Sequence, residues 1–219
     1  MKIYSIHYNK PEYINIQYDS FIKNIKFNYE YAILDNSIDI DIKNLIKIKC
    51  KELKIEYIDC CNNIQSVDSL SHQNALSKLV DIVNINETFM LLDHDVFVIN
   101  ELTEDFFLNY DLTYVNQTRG RIEYPWPGLI IFNKLKNKNK LSFNSGLIDG
   151  YSCDTGGAMY YYLKNNNLSV RKLDTKYINK GEELIATHEN IFLHLISGSD
   201  WNKNYNLKSK IDFFKNDYM

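Results

Sequence analysis

A chain of 219 residues, 45% apolar and 24% charged, is long enough for one large α/β domain with a buried core. A net charge of −3 and no long basic block exclude nucleic acid as the main partner. No apolar run approaches the ~18 residues of a membrane span. The N-terminal segment is too short and too polar for a signal peptide, so a soluble, cytoplasmic protein is expected. Cys50, Cys60, Cys61 and Cys153 show neither metal nor redox spacing and are expected as reduced, buried thiols.

Along the first half, strand-like and helix-like patterns alternate. Residues 3–8 alternate apolar and polar as a short strand does, and Pro11 marks a helix start. Ile14, Tyr18, Phe21, Ile22 and Ile25 fall at helical spacing over 13–25. A second strand is predicted at 29–34, closing on Asp35-Asn36-Ser37. A helix follows at 41–53, with Leu45, Ile48 and Leu53 as inward residues, and a strand at 55–58. The next helix, at 69–83, has Leu70, Ala75, Leu76, Leu79, Val80 and Val83 on its apolar side. This order predicts a parallel sheet with right-handed crossovers, which binds ligands beyond the carboxyl ends of its strands. The glycine-rich loops of dinucleotide and P-loop sites are missing.

Residues 88–99 read as a further apolar strand that carries Asp93-His94-Asp95. Alternate side chains of an extended backbone share a face, so the two carboxylates would stand together. Two like charges repel and lose hydration when buried, and a divalent cation between them removes both penalties. His94 would point the other way, as a packed core histidine.

The second half is less regular. Strands are expected at 112–116 and 129–132, with Glu123-Tyr124-Pro125-Trp126-Pro127-Gly128 between them as a hairpin corner or a pocket wall. Residues 134–140 form a polar, basic loop. Asp154 either caps a helix over 155–163 or serves a sugar site beside Gly156 and Gly157. Phe213 and Phe214 close the chain in a tail or final helix.

The order of these motifs resembles the nucleotide-sugar-dependent glycosyltransferases of the GT-A fold. The resemblance runs from the loop His7-Tyr8-Asn9-Lys10-Pro11-Glu12, through Leu34-Asp35-Asn36-Ser37 and Ser71-His72-Gln73-Asn74, to Asp93-His94-Asp95. It ends at His194 and the cluster Ser197-Gly198-Ser199-Asp200-Trp201. The small size and the Asn-, Ile- and Lys-rich composition look like those of a bacterial or large-DNA-virus member.

The resemblance implies a three-layer α/β/α sandwich with a mainly parallel central sheet, as one domain over 1–219. Residues 1–100 would bind the nucleotide sugar, and 101–219 would supply the acceptor half and a C-terminal flap. It implies a nucleoside diphosphate sugar donor, UDP-linked by preference, a hydroxyl acceptor on a glycan or other molecule, and Mn²⁺ or Mg²⁺. Asp93, Asp95 and His194 would hold the metal. Tyr8, Asn9, Asp35, His72, Asn74, Asp93, Ser199 and Trp201 would contact the donor. Asp154 would be the base, with Asp149 and Glu189 as alternatives. A sugar-phosphate nucleotidyltransferase and a non-catalytic carbohydrate-binding protein are the competing readings. The first is disfavoured by a glycine-free loop at 7–12, the second by the intact carboxylate pair.

Overall fold

The computed structural model describes residues 1–60, 68–180, 183–196 and 212. The chain opens with β1 (Lys2–His7), α1 (Glu12–Asn24), β2 (Glu30–Asp35), α2 (Ile40–Leu53), β3 (Glu56–Asp59), α3 (Asp68–Ile82) and β4 (Phe89–Asp93). It continues through β5 (Val96–Val98), β6 (Leu112–Arg119), β7 (Ile122–Phe132), β8 (Gly146–Ile148) and β9 (Tyr151–Cys153). Then follow α4 (Met159–Asn165), β10 (Val170–Leu173), β11 (Thr175–Lys180), β12 (Glu183–His188) and β13 (Phe192–Leu195).

A seven-stranded sheet has the order β10-β6-β7-β4-β1-β2-β3. Only β7 runs against the rest of it, between β4 and β6. Ile3, Tyr31 and Ile33 of this sheet pack against Ile14 and Phe21 of α1 and Ile46 and Cys50 of α2. Tyr4, Ile6 and Leu34 point to the other face, onto Ala75, Leu76 and Leu79 of α3 and Met159 and Tyr162 of α4. Helices on both faces give the expected three-layer α/β/α arrangement, and they account for strands that are apolar on both sides. Residues beyond 100 supply β6, β7 and β10 to this same sheet.

Helix α2 begins where Asp39 accepts from the backbone N–H groups of Asp41 and Ile42 (2.8 and 3.2 Å). It ends at Lys54, which adopts the left-handed conformation with φ 57°. The expected inward face is corrected here. Leu45 and Ile48 are about half exposed, whereas Ile46 and Cys50 are buried. Ile42, Ile46, Cys50 and Leu53 form an i, i+4, i+8, i+11 stripe, and it is this stripe that packs on the sheet.

Three further expectations change. The run 88–99 is not one strand: the chain leaves the large sheet after Asp93 and turns at His94-Asp95. It then enters a second, antiparallel sheet, β11-β12-β13-β5. Residues 123–128 are not a hairpin corner but lie inside β7, since the turn falls at Gly120-Arg121. Opposite them, β6 and β7 slip register between Tyr114 and Asn116. Pro125 and Pro127 have no N–H for a ladder, which suits them to such a bulge. Finally, Asp154 is not a helix cap. Its Oδ1 accepts from Thr155 N at 2.7 Å inside a turn, and α4 starts at Met159 without a side-chain cap.

Cys50, Cys60 and Cys153 are buried, as expected, and Cys61 lies outside the described residues. Residues 213 and 214 lie outside the described residues. Among the described residues, no helix is long and apolar enough to cross a membrane.

Candidate active site

Strand register brings the polar residues to one edge. His7 of β1 pairs with Asp35 of β2, Ile6 pairs with Asp93 of β4, and Asp35 pairs with Asp59 of β3. All of these lie at the carboxyl ends of parallel strands, where such sheets bind ligands.

Asp93 and Asp95 flank the turn that joins the two sheets. Asp93 Oδ1 lies 3.0 Å from His72 Nε2 on α3. Burial pushes His72 down, but the Asp93 charge and hydrogen bond outweigh it and raise His72 above the ordinary imidazole value. Burial would raise Asp93; His72 opposes it and holds the carboxyl below its usual range. Both shifts favour the charged forms of the pair. Asp95 is 5% exposed, and its Oδ2 is 3.8 Å from His194 Nε2. The backbone of β13 fixes this approach, because Leu195 N donates to Asp95 O (3.0 Å). His194 is pushed down by burial, partly offset by Asp95, and so presents a neutral imidazole.

His94 points inward as expected. It is 5% exposed, stacks on Tyr13 with ring centroids 5.4 Å apart, and places Nδ1 3.3 Å from Ile6 O. Burial holds it at about 4, in the neutral form.

The loop after β1 is braced from below. Asn9, at φ 53°, donates its N–H to Ser37 Oγ (2.8 Å), and Ser37 N donates to Asp35 Oδ1 (2.9 Å). Tyr57 OH donates to Asp35 Oδ2 (3.0 Å). Asp35 is fully buried, and burial raises its pKa against these bonds. Its carboxylate supports the Tyr8-Asn9 loop from inside. Tyr8 and Asn9 are half-buried on that loop, and Asn74 is half-buried on α3, two residues beyond His72.

Asp154 is exposed, and its charge contributes to raising His72, so the two share one side of the site. Asp149 accepts from the hydroxyls of Tyr160 and Tyr161, while Glu189 accepts from Asp174 N and pairs with Arg171. Both alternatives to Asp154 are thus bound into the scaffold. Ser199 and Trp201 lie outside the described residues.

Two features escape the sequence patterns. Trp126 stacks on His194 at 4.5 Å and 28°, with His188 6.1 Å from the same imidazole. His188 is 2% exposed, and its Nδ1 is 2.9 Å from Thr175 Oγ1. Together with His7, 5.7 Å from His94, all five histidines of the chain gather around the Asp93–Asp95 turn. Their scatter along the chain hides this.

Two carboxylates and a neutral imidazole form a donor set suited to a hard or borderline divalent cation. As the side chains stand, no group of three or more His, Cys, Asp or Glu among the described residues is gathered closely enough to hold one.

No protein-family model and no curated protein matches the sequence. Solved structures do match. The galactosyltransferase LgtC, in complex with donor and acceptor sugar analogues, is 15% identical; the alignment covers 80% of this chain and 73% of LgtC, with a TM-score of 0.52. Residues 1–349 of Staphylococcus aureus TarS are 13% identical over 95% of this chain and 67% of TarS, with a TM-score of 0.50. Three other matched chains are much longer, and this chain spans only 31% to 34% of them. The chain has the fold of the GT-A glycosyltransferases.

Proposed function

We propose that this protein is a metal-dependent glycosyltransferase. It would transfer a sugar from a nucleoside diphosphate donor, UDP-linked by preference, to a hydroxyl of a glycan or other acceptor. The observation that supports this reading is the position of Asp93 at the carboxyl end of β4 in a GT-A-type sheet, followed by Asp95 in the next turn with its Oδ2 3.8 Å from His194 Nε2.

Asp93, Asp95 and His194 would hold Mn²⁺ or Mg²⁺, and the imidazole favours Mn²⁺. The bound ion would neutralise charge on the departing diphosphate. His72, whose Nε2 lies 3.0 Å from Asp93 Oδ1, would stand beside the donor phosphates. The loop that carries Tyr8 and Asn9, held by Ser37 and Asp35, would seat the nucleoside, with His72 and Asn74 toward the ribose. Ser199 and Trp201 are assigned to the donor side by the sequence resemblance alone. In an inverting reaction Asp154 would accept the proton of the acceptor hydroxyl at its exposed carboxylate. A retaining reaction needs no such base.

The test is release of nucleoside diphosphate from a panel of nucleotide sugars, with and without Mn²⁺. Metal-stimulated release from one donor, highest for a UDP-sugar, is expected. Pyrophosphate formation from a nucleoside triphosphate and a sugar phosphate would replace this reading with a nucleotidyltransferase. Glycan binding without turnover of any donor would replace it with a carbohydrate-binding protein.

A further inference from the structure

Gln17 lies in the middle of α1 and is fully buried. Its amide is saturated. Nε2 donates to Asp93 O (3.1 Å) and Val96 O (2.8 Å). Oε1 accepts from Tyr31 OH (2.6 Å) and lies 3.3 Å from His7 Nε2. The two carbonyls are acceptors only and the tyrosine hydroxyl can donate, so the amide has one workable orientation, with its NH₂ toward the turn.

The position of these two carbonyls gives the amide its significance. Asp93 is the last residue of β4 in the large sheet, and Val96 is the first of β5 in the second sheet. Only His94 and Asp95 separate them, and this turn contains neither glycine nor proline. One buried NH₂ group therefore spans both ends of the segment that presents the two carboxylates. Through Oε1 the same amide is tied to β1 at His7 and to β2 at Tyr31.

We propose that Gln17 is a positioning residue: it fixes the spacing and direction of the Asp93 and Asp95 side chains, and so sets the affinity of the site for a divalent cation that it never touches. The proposal rests on the metal-binding reading above. A helix core residue that merely stabilised α1 would affect folding without affecting cation affinity, and this separates the two roles.

The experiment is Mn²⁺ titration of the full chain, following the free-ion electron paramagnetic resonance signal at a temperature where every variant is folded by circular dichroism. The variants are Gln17→Met, Tyr31→Phe and Ile14→Ala. Ile14→Ala opens a cavity on the same helix and removes none of these hydrogen bonds. Gln17→Met is expected to weaken Mn²⁺ binding about tenfold or more, as loss of partners behind metal ligands does. Tyr31→Phe should change it in the same direction, while Ile14→Ala melts earlier but keeps wild-type affinity. Wild-type affinity in Gln17→Met overturns the proposal, and so does an equal loss in Ile14→Ala. If Gln17→Met does not fold, unchanged affinity in Tyr31→Phe overturns it. Failure of the functional reading looks different: the wild-type chain would bind no more Mn²⁺ than Asp95→Ala, and both ideas would fall together.

Discussion

His72 Nε2 and Asp93 Oδ1 meet at 3.0 Å and join helix α3 to the last residue of β4. The contact places a positive charge on the carboxylate that the proposed cation would also neutralise. In metal-free protein, His72→Gln should lower stability by about 2 kcal/mol near pH 5–6. His72 is raised from 6.5, so its contribution is present below that value and is lost as pH rises through the folded value. Asp93 is lowered from 3.8, so its contribution is present above that value and is lost as pH falls through the folded value. Urea denaturation of both proteins across pH should show the gap widest between those two reference values. A constant gap from pH 5 to pH 9 would mean that no such ion pair forms.

Asp95→Ala should abolish metal dependence while leaving the fold intact. Its carboxylate lies 3.8 Å from His194, while its backbone oxygen accepts from Leu195 N of β13. Mn²⁺-stimulated release of nucleoside diphosphate should fall roughly 100-fold or more. Mn²⁺ should raise the melting temperature of the wild-type chain and not that of the variant, since a ligand stabilises only the state that binds it. An undiminished thermal shift in Asp95→Ala would remove Asp95 from the metal set.

Much of this architecture was readable because the first half is locally simple. Both faces of β1, β2 and β4 are covered, so their apolar runs are nearly continuous, and the helices between them carry a clear period. The same reasoning turned His94 into the core. Helix α2 misled because it carries two apolar stripes, and periodicity alone cannot tell which one meets the sheet. The break after Asp93 was invisible because Gln17, 76 residues earlier, ties the two ends of a turn that has neither glycine nor proline. His188, and the stacking of Trp126 on His194, were missed for a similar reason: they depend on the pairing of β12 with β13 and the bulge in β7, and both are long-range features.

His188 should make the protein acid-sensitive. Burial lowers it from 6.5 to about 4, so between these values the unfolded chain binds a proton that the folded chain refuses. Stability therefore falls as pH drops from 6.5, by roughly 2–3 kcal/mol at pH 4.5 from this group. His94, also held at about 4, and His7, held at about 3, act in the same direction. His188→Gln should flatten the stability profile between pH 7 and pH 4.5 by that amount. Parallel wild-type and variant profiles would show that His188 takes up a proton equally in both states.

Gly128 should prove as important as the residues around it, because of where Trp126 lies. A Cβ at position 128 would meet the Trp126 indole at 2.1 to 2.5 Å, and this rigid bicycle cannot yield without swinging away. The ring is the one stacked on His194, 4.5 Å away. Gly128→Ala should therefore cost about 1–3 kcal/mol, as overpacking does, and shift the tryptophan fluorescence as the indole leaves its stack. Trp126→Phe leaves a smaller ring over the same glycine. The penalty of Gly128→Ala should shrink by at least ~1 kcal/mol in that background, a coupling expected of residues in contact. Urea denaturation of the four proteins of this cycle measures it. Strict additivity would mean that the added methyl meets something other than the indole, and that the stack on His194 does not depend on a bare backbone at 128.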